Sequence, residues 1–389
     1  MSTVVTEGVT LDPTESSTFE FSDYTQRVIV ATMFLVIALL GIFGNTLVIL
    51  AVLLSKKVRT ATNAFVMNLS VADFLTCLVI PWNAVVLLGR EGLPVGVWVC
   101  SITAVVQYAS VGCSIFSLVA IALNRFLLIT RPATTYNKVY TPKKIIIWLV
   151  LVWLVPLSIS IVPSFINIVE FTYNDKYHVC MSLHSKASAG PATYNIIVAG
   201  VIYPILLIII IVCYVLIWRH LKRHSRRMAM VHQVASDLTP SSIPTTTTVT
   251  IPLAHMTSDD QIQSPASPSS VPAIHSHVTR RQNDITKNMF YVVCAFMLCI
   301  TPYAVVVMCG DSPARPYLFA LFFFNSCVNP VIYATKHRDF KTIFGCILRR
   351  NLAAVPEPSE FLKFLQRNMC CGTTEYRAVN INRTQSSLV

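Results

Sequence analysis

The sequence predicts an all-α membrane protein: a seven-transmembrane helix bundle with a short amphipathic helix on its inner surface. Three observations carry this. Of 389 residues, 54% are hydrophobic and 12% charged, where soluble domains carry about 25% charged residues. Mean hydropathy is +0.61. Seven stretches stay apolar over the ~20 residues that a helix needs to cross a ~30 Å hydrocarbon core. Lys and Arg are also one-sided. Arg27, Arg90, Lys176, Lys186 and Arg315 fall on one side of such a bundle, and the other 25 of the 30 on the opposite side. The positive-inside rule then places the N-terminus outside. The net charge of +12 reflects this topology and no nucleic acid partner, since no DNA- or RNA-binding motif accompanies it.

Residues 1–26 are polar, with Glu7, Asp12, Glu15, Glu20 and Asp23 and no basic residue before Arg27. They lack the apolar core of a cleavable signal, so a disordered extracellular segment is expected, with the first span as its own insertion signal. The bundle occupies 27–335, with spans near 28–54, 63–88, 97–130, 143–166, 193–218, 287–309 and 314–335. A long third cytoplasmic loop, 219–286, has basic ends. Its middle, 236–279, is rich in Ser, Thr and Pro, which predicts a disordered segment open to phosphorylation. In 336–348, Phe340, Ile343, Phe344 and Ile347 recur at helical spacing opposite Lys336, Arg338 and Lys341, the pattern of a helix lying in the inner interface. The remainder, 349–389, is a cytoplasmic tail. Cys346 or the pair Cys370 and Cys371 are lipidation candidates. The terminal Ser387-Leu388-Val389 fits a PDZ-domain scaffold, which would capture it as an added strand.

Several polar residues sit at membrane depth: Asn45, Asp73, Ser114, Asn325, Ser326 and Asn329. A charge there costs ~2.5–3.5 kcal/mol on the insertion scale, so Asp73 must face the bundle interior. One reading is a hydrogen-bonded knot between helices. The other is a site for a sodium ion, because carboxylate, hydroxyl and amide oxygens suit a hard cation. No other cofactor is expected. Arg125 poses the same problem at the inner mouth, where the apolar pattern continues past it through Phe126–Ile129.

GNTLV at 44–48, NLSVAD at 68–73, NRF at 124–126, Pro302 in CITPY and NPVIY at 329–333 occur in order, one per expected helix. This ordered set resembles the rhodopsin-like G-protein-coupled receptors. NRF, the YNKVY of the second inner loop, CYVLIW at 213–218 and NSCVNPVIY resemble melatonin-like receptors and related invertebrate orphan receptors within them. The resemblance implies a non-enzymatic plasma-membrane receptor that couples an extracellular ligand to a heterotrimeric G protein, with arrestin and receptor kinases as later partners. It assigns coupling and switching to Asn124, Arg125, Phe126, Tyr214, Ile115, Phe296, Pro302, Asn329, Pro330 and Tyr333. It also implies a Cys100–Cys180 disulfide, in keeping with an oxidising outer compartment.

The departures from the family pattern are informative. Asn124 stands where the family carries an acid that holds the arginine, and Gln282 where a second acid often sits, which predicts a weakly locked resting state. Ile300 replaces the usual Trp of the sixth helix. Pro204 lies ten residues before Tyr214 where the family spacing is eight, so either the proline is displaced or the helix bulges.

By the resemblance, the ligand pocket holds Gln107, Tyr108, Val111, Ser164, His184, Tyr303, Phe319 and Phe323. Gln107 stands where amine receptors carry Asp, and the stretch Leu318–Phe324 offers no lysine for retinal. Ser164 and His184 replace the Asn and Gln that anchor melatonin in its receptors. The ligand is expected to be a small aromatic or lipid-like molecule, or a peptide drawn to the nine outer acids. A secondary transporter or channel would also use intramembrane Asp and Asn, but transporters show repeated halves, and no internal repeat is visible. Nor is there a nucleophile–base pair, phosphate loop or His/Cys metal cluster to indicate an enzyme.

Overall fold

The computed structural model describes residues 20–90, 92–184, 193–237, 271–310 and 312–368. Seven of its helices are long and apolar enough to span a bilayer. They are α1 (Tyr24–Leu54), α2 (Ala61–Leu88), α3 (Val97–Thr130), α5 (Pro142–Phe165), a fifth span over Tyr194–Arg223 made of α6 (Thr193–Ile197) and the first part of α7 (Tyr203–Asp237), α8 (Val271–Cys309) from Phe290 onward, and α9 (Arg315–Lys336). A short α4 (Ala133–Val139) lies between α3 and α5, and α10 (Arg338–Leu348) follows α9.

Local chemistry sets the ends of these helices. Asp23 caps α1 by accepting from the Thr25 amide at 2.8 Å, Thr60 caps α2, and Thr141 caps α5 with Pro142 in its first turn. At the inner end of α1, the Arg59 guanidinium donates to the Val52 and Leu53 carbonyls, satisfying groups that a helix end leaves without partners.

The buried apolar residues form an inner core joining α1, α2, α3, α7, α8 and α10, and two outer clusters. Two close approaches depend on glycine. A Cβ on Gly112 would lie 2.7 Å from the Pro156 Cβ, and one on Gly44 would lie 2.8 Å from the Pro330 Cβ. Trp153 donates to Asn68 Oδ1 at 2.8 Å, while Trp148 is 38% exposed on the lipid side.

The fifth span settles the proline question. α6 (Thr193–Ile197) passes into a π-helical turn, Val198–Ile202, before α7 (Tyr203–Asp237). Pro204 has no amide hydrogen to give and its ring crowds the carbonyl four residues back, so the wider turn absorbs it. The helix bulges.

Three further features differ from expectation. The basic ends of the third inner loop are helical: α7 runs on to Asp237, and α8 (Val271–Cys309) starts well inside the segment expected to be disordered. The second outer loop is a hairpin of β1 (Val169–Asn174) and β2 (Val179–His184), antiparallel with Phe171 opposite Ser182 and Tyr173 opposite Cys180. The tail does not leave the bundle after α10. Residues 352–368 fold back onto the first inner loop and end in a helix, α11, over 360–368. Cys370, Cys371, Ser387 and Val389 lie outside the described residues.

Candidate functional site

At the inner end, Arg125 is 4% exposed. It sits beside Tyr214 and Tyr136, its Nε has no partner, and among the described residues it makes no ion pair. Asn124 does not reach it. The Asn124 Oδ1 accepts from the Thr62 hydroxyl at 2.6 Å, and its Nδ2 donates to the Tyr136 hydroxyl at 3.1 Å. Where the family places an acid, this chain has an amide bridging α2 and α4. Phe126 packs half-buried on the inner core. The buried Tyr214 and Tyr333 hydroxyls have no partner among the described residues, and the Tyr333 ring lies against Phe340 at 5.7 Å. Gln282 falls on α8, with its side chain outside the described set.

In the middle of the bundle, Asp73 is fully enclosed and holds three helices. Its Oδ1 accepts from Ser114 (3.0 Å) and Ser326 (3.1 Å), and its Oδ2 accepts from Asn329 Nδ2 (2.8 Å). Asn45 Nδ2 donates to the Gly41 and Ser326 carbonyls, tying α1 to α9. The knot reading is therefore realised. For the cation reading, the amide oxygens of Asn45, Asn325 and Asn329 are buried and accept no hydrogen bond among the described residues. By residue chemistry, a carboxylate, two hydroxyls and amide oxygens are donors suited to a hard monovalent cation.

Above this knot, Phe296 is buried in the core and Ile115 is half-buried against it. Ile115 and Ile300 form part of the floor of an apolar cavity of about 130 Å³. Gln107, Tyr108, Val111, Tyr303, Phe319 and Phe323 all line it. Tyr303 and Phe319 pack 5.2 Å apart, and Phe319 and Phe323 4.5 Å apart. The Gln107 side chain is buried, and both its amide nitrogen and oxygen lack partners among the described residues.

One expected position is not brought to the cavity. Ser164 lies in the last outer turn of α5, and Ser160, one turn deeper, lines the wall instead. His184 ends β2 opposite Val169, with its side chain outside the described set. The sequence also left unflagged Tyr194 and Asn195 of α6, which line the wall beyond the π-helical turn.

The outer hairpin is held over this end of the bundle. Cys100 and Cys180 are bonded across 80 residues. The Cys180 amide donates to Asn83 Oδ1 at 2.9 Å, and Ser182 joins Tyr108 (2.7 Å) to Asn195 (3.0 Å). The Phe21 amide donates to the Lys176 carbonyl at the hairpin tip, and Arg27 donates to the Leu87 and Gly89 carbonyls at the end of α2. Cys346 on α10 is half-buried and donates to the Ala354 carbonyl at 3.4 Å, so a lipid chain there would displace the folded-back tail.

A seven-helix bundle with an aromatic cavity at one end and a buried arginine at the other is the plan of a transmembrane receptor. A family profile described as "7 transmembrane receptor (rhodopsin family)" matches residues 44–333. The G-protein coupled receptor moody of Drosophila melanogaster is 24% identical over 354 residues, covering 82% of this chain and 51% of that protein. Melatonin receptor type 1A of Mus musculus is 28% identical over 319 residues, covering 79% of this chain and 76% of that one. The crystal structure of squid rhodopsin superposes with a TM-score of 0.67 at 18% identity, over 93% of this chain and 96% of that chain. The chain thus spans about half the length of moody, and its likeness to squid rhodopsin concerns the fold alone. The chain belongs to the rhodopsin family of seven-transmembrane receptors, a multi-pass membrane protein, and the transporter reading finds no support.

Proposed function

We propose that this receptor sits in the plasma membrane with its N-terminus outside, binds a small apolar or aromatic molecule in the cavity, and activates a heterotrimeric G protein at its inner mouth. The cavity carries the reading. Its walls are aromatic and aliphatic, its polar atoms are uncharged, and the hairpin tied by Cys100–Cys180 lies at its outer end. Sites of this kind hold apolar bodies fixed by a few polar groups, and the unpartnered Gln107 amide is such a group. Among the described residues no carboxylate lines the wall to receive a cationic peptide side chain, which favours the small molecule. Arg125, Tyr214 and Tyr333 are the groups that would rearrange at the inner end, and Asp73 with Ser114, Asn325, Ser326 and Asn329 would hold a sodium ion between the two ends. Arrestin and receptor kinases follow as partners of an active receptor.

The test is GTP exchange by purified receptor with G protein, screened against lipid, indole and peptide libraries. A small apolar agonist should emerge. Its potency should fall about tenfold or more in Ala304→Phe, which fills the cavity, and in Gln107→Leu, which removes the polar anchor. Unchanged potency in both variants, or a hit set confined to peptides, would overturn the assignment.

A further inference from the structure

Residues 352–368 form a structure that the seven-helix plan does not require. At its centre is the Ser359 hydroxyl, which donates to the Leu53 carbonyl at 2.7 Å and accepts from the Leu362 amide at 3.1 Å. One side chain thus caps α11 and joins it to the inner end of α1. Around it, the Ser359 amide donates to Leu54 O (2.9 Å), the Lys56 amide to Glu357 O (2.8 Å) and the Ser55 hydroxyl to Pro356 O (2.5 Å). Ser55 and Pro358 form an antiparallel bridge. Lys56 pairs with Glu360 at 2.7 Å, and Gln366 donates back to Leu352 O. Val355 and Leu362 are buried in the inner core, with Leu352 and Leu365 packed on it. Arg350 and Glu357 hold φ of 54° and 47°, a region that residues with a Cβ rarely enter. The turns around them are tied down well enough to keep them there.

This docking fixes the height of α11. With 31 residues, α1 is about 46 Å long, against ~30 Å of hydrocarbon. Its last turn therefore reaches the headgroups, and α11 is bonded to that turn. On a helical wheel the apolar residues of α11 form one arc, and the protein covers only part of it. Leu362 is 0% exposed, but Phe361 and Phe364, three residues apart on the same side, are 49% and 60% exposed. The opposite arc carries Lys363 and Arg367, both exposed, and Glu360, which pairs with Lys363 and with Lys56 of the first inner loop. Lys57, paired with Asp339, and the exposed Arg349 and Arg350 just before the docked segment add to the basic side. Two phenylalanines facing outward at headgroup level, in segments whose six Lys and Arg (Lys56, Lys57, Arg349, Arg350, Lys363, Arg367) outnumber the acids Asp339, Glu357 and Glu360, match an anionic inner leaflet in both apolar and charge character.

We propose that α11 is a second interfacial helix. It is clamped to the first inner loop through Ser359, and it seats Phe361 and Phe364 among anionic lipids of the inner leaflet. The first inner loop and the tail then move as one lipid-anchored unit.

The test places the photocrosslinking residue p-benzoylphenylalanine at 361, 364 or 363 of the full-length receptor. The receptor is reconstituted in phosphatidylcholine vesicles with ~30% phosphatidylserine, and the adducts are read by mass spectrometry after irradiation. Phospholipid adducts at 361 and 364 should exceed those at 363 by about fivefold or more. They should drop about twofold or more in pure phosphatidylcholine. Ser359→Ala, which frees the helix, should bring the three positions closer together. Equal lipid labelling at all three positions in the parent receptor would overturn the proposal. So would adducts at 361 and 364 to a second receptor copy, or to a protein rather than lipid in native membranes. None of these readouts depends on the ligand or the G protein.

Discussion

Replacing Asn124 with Asp should quieten the receptor in the absence of ligand. Arg125 is buried with no acid among the described residues, and Asn124 bridges Thr62 and Tyr136. If the new carboxylate turns to within about 4–6 Å of the guanidinium, the pair gains about 3–4 kcal/mol at an effective dielectric of ~20. Burying the new charge takes back much of that. The Thr62 hydroxyl, already donating at 2.6 Å, bonds a charged acceptor more strongly than an amide and returns part of it. A net ~1–2 kcal/mol in favour of the closed state lowers the open population about 5- to 30-fold. The assay is agonist-free GTP exchange at matched receptor density, with Asn124→Ala as the variant that loses both bridges and gains no charge. If the Asp variant exchanges GTP as fast as the parent or faster, the unpaired arginine does not set basal activity.

Three further expectations follow from the geometry. Replacing potassium with sodium should raise the thermal stability of the purified receptor, by about 1.4 kcal/mol at ten times the dissociation constant, and Asp73→Asn should abolish the difference; a sodium effect that survives in that variant excludes the Asp73 site. Gly112→Ala brings a methyl to 2.7 Å from the Pro156 Cβ, where a proline ring cannot turn aside. It should cost ~1–3 kcal/mol in thermal unfolding, while Gly345→Ala, which meets nothing within 4 Å, should cost no such amount. At the hairpin tip, burial first and then Arg27 hold the His178 imidazole below its usual range, against the opposing pull of Glu20 and Asp175. The unfolded loop therefore binds the proton first, so the His178 contribution is intact above about pH 6.5 and is lost as pH falls below it. Hydrogen exchange across 169–184 should accelerate between pH 7 and pH 5.5, and His178→Asn, which tolerates the residue's φ of 51°, should flatten that response.

The spans were legible because lipid imposes a length and a composition that no other environment demands, and the expected boundaries fall within a few residues of the helix ends except at the inner ends of α7 and α8, which run on to Asp237 and from Val271. Asp73 and its partners were legible for the same reason, since a charge at that depth must face inward. What the sequence did not disclose depends on contacts distant along the chain. The partner of Asn124 on α2 is 62 residues away, and no local pattern names it. Ser164 was set at the cavity by counting from Pro163, yet the wall is built one turn lower, at Ser160. The outer hairpin alternates over only six residues a strand, too short a signal beside seven long apolar runs. The docked tail was missed because Leu362 and Leu365 become core residues only once the first inner loop is folded beneath them. The π-helical turn was left open because a proline two residues out of place admits both a shift and a bulge.

That turn has a consequence for how the fifth span can evolve. One added residue in a helix swings everything on one side of it by about 100° relative to the other. The register of Tyr194 and Asn195 toward the cavity is therefore set separately from the register of Tyr214 toward Arg125. The widened turn works as a rotary joint: recognition at one end can drift with a new ligand while the coupling face at the other keeps its aim. Removing a single residue from Val198–Ile202 would merge the two halves into one rigid screw, carrying the ligand-facing side chains out toward the lipid.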